Sequence, residues 1–257
     1  MNRFALPTLI LAAALGAAAP EARPQSDRKP NGKAPSLEQT LAWLKKLDIS
    51  KESADTIAKL TVDDLKTLTT LNLGGHRQSD GKHVNFPAPE YRYLTSLPAL
   101  EMLNLNENEG VTDEALAHVG RIATLKELHV ADGKITGAGL GHLANLKNLT
   151  HLNVGWTLDV GDAALPLFVK FPKLEFLGLG ATKVTEAGLV ANIPRMPCLK
   201  ELHLNGLAIS DAGFARIAEC RTLAKIEVSK KDGAKAAKLR DAIKRVNSSC
   251  EIVVSKY

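Results

Sequence analysis

Five residues of this sequence come nearest to chemistry by type and spacing. Glu127 and His129 stand two apart, Glu201 and His203 repeat that spacing, and His151 lies between the two pairs. Imidazole beside carboxylate suits zinc ligation or proton transfer, and a zinc site needs three or four such ligands converging within about 2.0–2.3 Å of one point. A separation of two places both members of each pair on one face of a strand. Motifs that would supply a nucleophile or hold a phosphate are missing: there is no G-x-S-x-G, no H-E-x-x-H and no glycine-rich phosphate loop. Gly74-Gly75 and the Gly178/Gly180 pair have no helix N-terminus behind them to hold an anion. The expectation is no catalytic residue, no metal ligand and no cofactor, with these polar residues serving recognition instead.

The elements that position them repeat. The segment Leu68-Thr-Thr-Leu71-Asn-Leu73 recurs as Leu100 to Leu105, Leu125 to Val130, Leu149 to Val154, Leu174 to Leu179, Leu199 to Leu204 and Leu223 to Val228. From Leu100 the steps are 25, 24, 25, 25 and 24 residues, whereas Leu68 to Leu100 is 32 and carries an insertion, residues 76–92. A second phrase recurs behind each segment: Val111-Thr-Asp-Glu-Ala-Leu116, Ile135-Thr-Gly-Ala-Gly-Leu140, Val160-Gly-Asp-Ala-Ala-Leu165, Val184-Thr-Glu-Ala-Gly-Leu189 and Ile209-Ser-Asp-Ala-Gly-Phe214. The first phrase alternates with period two, which is a strand with leucines on one face. In the second, Thr or Ser caps a short helix, and its acidic or small residues suit the first turn. One strand-turn-helix unit cannot bury its own apolar face, but stacked units can.

These units resemble leucine-rich repeats of the bacterial type with a V-T-D-A-G-L phrase, and are similar to the cysteine-containing and ribonuclease-inhibitor-like classes. The resemblance covers roughly residues 68–229 and implies an α/β fold. That fold is a right-handed solenoid in a horseshoe arc, with parallel strands on the concave face and short helices on the convex face. The Asn that often closes the strand turn falls at Asn108 or is absent. The solenoid also implies that residues 36–67 form a helical N-terminal cap and residues 230–257 a basic helix-strand C-terminal cap. A rival reading takes Leu44, Leu47 and Ile49 as a worn first repeat strand, since Leu44 to Leu68 is again 24 residues.

The outward columns of the strands then form the candidate binding face. From them, and from the rim and insertion, the expected partner-binding residues are Met102, Asn104, Glu127, His129, His151, Asn153, Trp156, Phe176, Glu201 and His203, with Phe86 and Tyr91 from the insertion. In this frame His129 and His203 lie three strands apart, roughly 14 Å at about 4.8 Å per strand, which excludes a shared mononuclear metal site.

Residues 1–18 read as a signal peptide. Arg3 precedes the apolar run Phe4 to Leu15, Gly16 and Ala18 suit a signal peptidase, and no Cys follows for lipid attachment. Residues 19–35 are Pro-rich and charged, the pattern of a disordered linker. Hydrophobic residues make up 45% of the 257-residue chain but aromatics only 4%, which excludes a disordered polyelectrolyte and suits a core of repeated leucine-sized slots. Of eleven aromatics, Phe86, Tyr91, Trp156 and Phe176 are read as lying outside those slots. Between Lys225 and Arg245, eight basic and three acidic residues carry a net charge equal to the whole chain's +5. That helix reads as a solvated cap, and no aromatic-interleaved basic patch points to nucleic acid. Cys198, Cys220 and Cys250 leave a bridge such as Cys220–Cys250 and free buried thiols both open.

The expected function is an exported, non-enzymatic scaffold (periplasmic, envelope or secreted) that binds a protein or cell-envelope polymer on its concave face. No membrane span remains once the signal is cleaved. The alternative is a structural or adaptor protein assembling through its convex face or caps, including one similar to ubiquitin-ligase adaptors.

Overall fold

The computed structural model describes residues 9–10, 33–47, 51–75, 86–229 and 236–255. Its strands form one parallel sheet in sequence order: β1 (Leu9–Ile10), β2 (Thr70–Asn72), β3 (Met102–Asn104), β4 (Glu127–His129), β5 (His151–Asn153), β6 (Phe176–Gly178), β7 (Glu201–His203), β8 (Lys225–Val228) and β9 (Glu251–Val254). The register is constant. Leu71, Leu103, Leu128, Leu152, Leu177, Leu202, Ile226 and Ile252 pair in one unbroken row, each at most 4% exposed. Each such burial is worth roughly 1.5–3 kcal/mol, so the row alone is a large part of the fold's stability. Of the segment read as a leader, only Leu9–Ile10 lies among the described residues, and it pairs parallel to β2.

The return path behind each strand is helical. Thr112, Thr185 and Ser210 cap Asp113–Val119, Glu186–Asn192 and Asp211–Ile217. Where the sequence is poor in helix formers the helix shortens. Gly137–Leu140 is one turn followed by the 3-10 segment Gly141–Asn145, and Pro166 opens the turn Leu165–Phe168.

The acid of the second phrase reaches beyond its own helix. Asp113 accepts hydrogen bonds from the next unit's cap, Thr136, through its backbone nitrogen (2.8 Å) and hydroxyl (2.7 Å). Asp162 clasps Thr185 in the same way at 2.7 and 2.6 Å, and Glu186 clasps Ser210 at 2.6 and 2.8 Å. This explains the glycine of the phrase. A Cβ at Gly139, Gly188 or Gly213 would run into Asp113, Asp162 or Glu186 respectively. Where the preceding unit has Gly137 in place of an acid, the following unit has Gly161 in place of a hydroxyl and Ala164 in place of the glycine.

The strand-to-helix turn is closed by several chemistries. Residues Glu107, Asp132, Trp156, Ala181 and Gly206 all adopt positive φ, one after each of β3 to β7. Asn108 accepts from Gly110, while Thr157 and Thr182 donate to Val154 and Leu179.

At the N-terminal end, the helices Leu37–Leu44 and Val62–Thr67 pack on each other, Leu37–Leu44 also meets the 3-10 segment Ala88–Ser96, and the helix Lys51–Ala58 lies against β1. The rival strand reading fails at Leu44, which ends a helix; Ile49 lies outside the described residues. The described part of the insertion, residues 86–92, does not form a rim. Residues 76–85 are outside the described set, but Phe86 is 6% exposed and Tyr91 only 1%. Phe86 packs edge-on to Trp43 (5.7 Å) and Tyr91 (6.2 Å), and Trp43 stacks on Tyr93 at 5.2 Å and donates to Glu90 at 2.9 Å. These rings pack the first helix onto the 3-10 segment Ala88–Ser96. Phe168 and Phe171 also occupy inward positions, fully buried on the helix side.

At the other end, the helix Ala236–Val246 and β9 add one more unit. Buried Asn247 donates to the carbonyls of Cys220 (3.2 Å) and Leu223 (2.9 Å), sealing the last turn. Cys198, Cys220 and Cys250 are free thiols, and burial, with Cys220 and Glu251 nearby, pushes Cys250 up to about 11.

Two outcomes follow. Asp162→Ala removes a two-point, solvent-accessible clasp and should cost about 1 kcal/mol, a fall in Tm of about 2–4 °C by scanning calorimetry. Under native conditions iodoacetamide should label Cys198 well ahead of Cys220 and Cys250, which react only on unfolding, as read by mass spectrometry.

Candidate functional site

Alternation along each strand turns one row of leucines inward and leaves two rows of side chains on the open, concave face. Pairing register makes the first row Met102, Glu127, His151, Phe176, Glu201 and Lys225, and the second Asn104, His129, Asn153, Gly178, His203 and Glu227. All are partly exposed except Gly178, which is buried. Ten of the twelve expected partner-binding residues therefore share one side of the molecule or its rim; Phe86 and Tyr91 do not.

The second row splits by residue type. Asn72, Asn104 and Asn153 turn their side-chain oxygens back to accept from the backbone nitrogens of Gly74, Asn106 and Gly155, at 2.9–3.0 Å. Asn153 leans across β6, where a Cβ at Gly178 would strike it. These asparagines hold the strand ends. The histidines instead pair with a glutamate on their own strand. His129 Nε2 lies 2.6 Å from Glu127 Oε1, and His203 Nε2 lies 2.6 Å from Glu201 Oε1.

Between the pairs is an aromatic platform. The Phe176 ring stacks on His151 at 5.7 Å and meets His203 edge-on at 4.7 Å. His151 is oriented by the Thr150 hydroxyl, 2.9 Å from its Nδ1.

One cluster was missed by sequence reasoning. Glu227 on β8 joins Glu201 and His203, with ligand atoms all within 4.8 Å of one another. The separation of His129 from His203 stands, but the neighbouring strand's residue in the same column was the signal to follow. Among the described residues this is the group with metal-ligating spacing. A cation already sits there: the Lys225 ammonium lies 2.7 Å from Glu201 and 3.9 Å from Glu227. Asn205 donates to Glu227 at 3.0 Å. Burial raises the Glu201 carboxyl, but hydrogen bonds from Lys225 and His203 outweigh it and hold Glu201 below its ordinary value.

At the rim, Trp156 is 57% exposed and Leu158 66%. Trp156 occupies the positive-φ position, with φ 61°, which its counterparts fill with smaller or acidic residues. A bulky side chain there costs about 1 kcal/mol or more, so its presence is not explained by folding.

A family model described as a leucine-rich repeat matches residues 122–144, which run from the helix end of one unit through β4 into the next. The matched stretch is similar to a leucine-rich repeat, and the units on either side of it repeat its strand, turn and helix. F-box/LRR-repeat protein 4 of Bos taurus is 30% identical over 129 residues, 47% of this chain and 21% of that protein, so the match spans about a fifth of the relative. Among solved structures, an internalin (inlF) from Listeria monocytogenes is 21% identical, covering 63% of this repeat protein and 48% of the other chain at TM-score 0.42. Listeria monocytogenes InlP is 18% identical, with 64% and 42% coverage and TM-score 0.43. The plant peptide hormone receptor RGFR1, in complex with RGF2, is 18% identical, with 64% and 29% coverage and TM-score 0.42. Among the described residues, no helix is long and apolar enough to cross a membrane.

Replacing Trp156 with Gly relieves the positive-φ strain and should raise Tm by about 2–4 °C in a thermal melt. A fall in Tm would show that the indole packs for stability.

Proposed function

We propose that this repeat protein is an exported, non-enzymatic scaffold that binds a protein partner on its concave face. The observation that carries the reading is the Phe176 ring, left partly exposed in the middle of a sheet and held between two imidazoles. An aromatic in that setting gains roughly 25 cal/mol for each Å² of apolar surface a partner covers. Rigid rings flanked by polar groups are also what interface hot spots use. Met102 in the same row and Trp156 at the rim extend the apolar contact. The leader-like residues 1–18 support export, and a cell-envelope polymer is the other partner class that would meet such a face there.

A second reading is an adaptor that assembles through its convex face or caps. It is favoured by the segment shared with the F-box/LRR-repeat relative, although export conflicts with it.

Pull-down with the mature chain from envelope extracts separates them. Wild type should retain a discrete protein, and the double variant Phe176→Ala, His151→Ala should lose at least ten-fold of it. Retention that survives the double variant but disappears on removing residues 230–257 supports the adaptor instead. N-terminal sequencing of the exported chain should begin near residue 19.

A further inference from the structure

We infer that the concave face recognises a basic, extended peptide segment with two cationic side chains flanking one apolar side chain. This deepens the protein-binding reading and rests on it.

The argument starts from one row of side chains. Register places Glu127, His151, Phe176 and Glu201 side by side on β4 to β7, so the row runs carboxylate, imidazole, phenyl, carboxylate across the strands. The two acidic ends are copies of one another, since Lys126-Glu127-Leu128-His129 and Lys200-Glu201-Leu202-His203 have the same sequence and the same Glu–His distance of 2.6 Å. Lys126 and Lys200 are drawn away by Glu101 (2.7 Å) and Glu175 (2.8 Å), which leaves Glu127 and Glu201 to face outward. Their side chains are 38% and 31% exposed.

Three strand steps at about 4.8 Å separate the acids by roughly 14 Å. An extended peptide rises about 3.4 Å per residue and presents residues i, i+2 and i+4 on one face, so its i and i+4 side chains stand roughly 14 Å apart with i+2 between them. A segment of the form basic-x-apolar-x-basic matches the row, its central side chain falling about midway, between the stacked rings of His151 and Phe176.

Charge complementarity selects the cations. By formal charge, Glu127, Glu201 and Glu227 carry three negative charges against the single positive charge of Lys225, on a chain whose formal net charge is +5. The cluster at the β7–β8 end already accommodates an ammonium, that of Lys225. A guanidinium, with its planar fork, can engage Glu201 and Glu227 together where the ammonium favours one, and can lie against an aromatic ring as well. Arginine is therefore the better fit at that end, with Lys225 swinging out as it enters.

Isothermal titration calorimetry on the full mature chain tests this. The probes are a capped peptide containing Arg-Ser-Phe-Ser-Arg, its Glu-Ser-Phe-Ser-Glu counterpart, and a peptide with both arginines on one side of the Phe. The first should bind at least ten-fold tighter than either control, and more weakly as salt rises. Glu127→Gln and Glu201→Gln should each weaken it several-fold, and Lys225→Gln, which removes the internal competitor, should tighten it. Equal affinity for the acidic peptide, no response to the glutamate variants, or weaker binding by Lys225→Gln overturns the inference. So does zinc binding that needs Glu201 and His203, in a protein that does not discriminate among the peptides. If the envelope partner still depends on Phe176 and His151 while the arginine peptide fails, only this inference falls; if both fail, the protein-binding reading falls with it.

Discussion

Each unit of this protein is too small to bury its own apolar face, and lateral contact with the next unit is what makes it stable. The leucine row through β2–β9 supplies the burial, and the carboxylate clasp supplies the register. Asp113, Asp162 and Glu186 each hold the cap hydroxyl and cap nitrogen of the following helix. That bond needs three residues at once: an acid in one unit, a hydroxyl in the next, and a glycine three residues after the hydroxyl where the carboxylate lies. Where the acid is lost at Gly137, the hydroxyl and the glycine are lost with it at Gly161 and Ala164. The phrase that defines the repeat is thus a contact between repeats, written out one unit at a time.

Because the clasps and the leucine row sit behind the sheet, the concave face carries little of the folding burden. Its exceptions are instructive. Asn104 and Asn153 look like recognition residues by position, yet their oxygens close strand ends. On the proposed reading, a partner meets the residues not committed to the backbone. They are the Phe176 platform with its two imidazoles, the Glu–His pairs, and the strained, exposed Trp156. A side chain that costs folding energy and packs against little is best explained by what it meets from outside.

The repeat frame was legible because period is a local property. Leucine spacing and cap residues specify strand, turn and helix wherever they occur, and constant spacing specifies which residues align across strands. The row Glu127, His151, Phe176, Glu201 can be read from the sequence once the frame is known. Glu227 was harder to place, because its importance lies in a neighbour one strand away rather than in its own motif. Phe86 and Tyr91 were misread for the opposite reason. They fall in a stretch that breaks the period, where the sequence offers no frame, and aromatics outside the repeat slots look free.

The amino-acid sequence by itself determined the solenoid, its register and the membership of its open face, since all three follow from periodicity and alternation. The tertiary structure alone decided which aromatics are buried, which polar side chains are spent on the backbone, and that a lysine sits between two glutamates beside His203. Those outcomes depend on how the units and the N-terminal helices pack against one another. No local pattern encodes such contacts, because they exist only once the separate segments have come together.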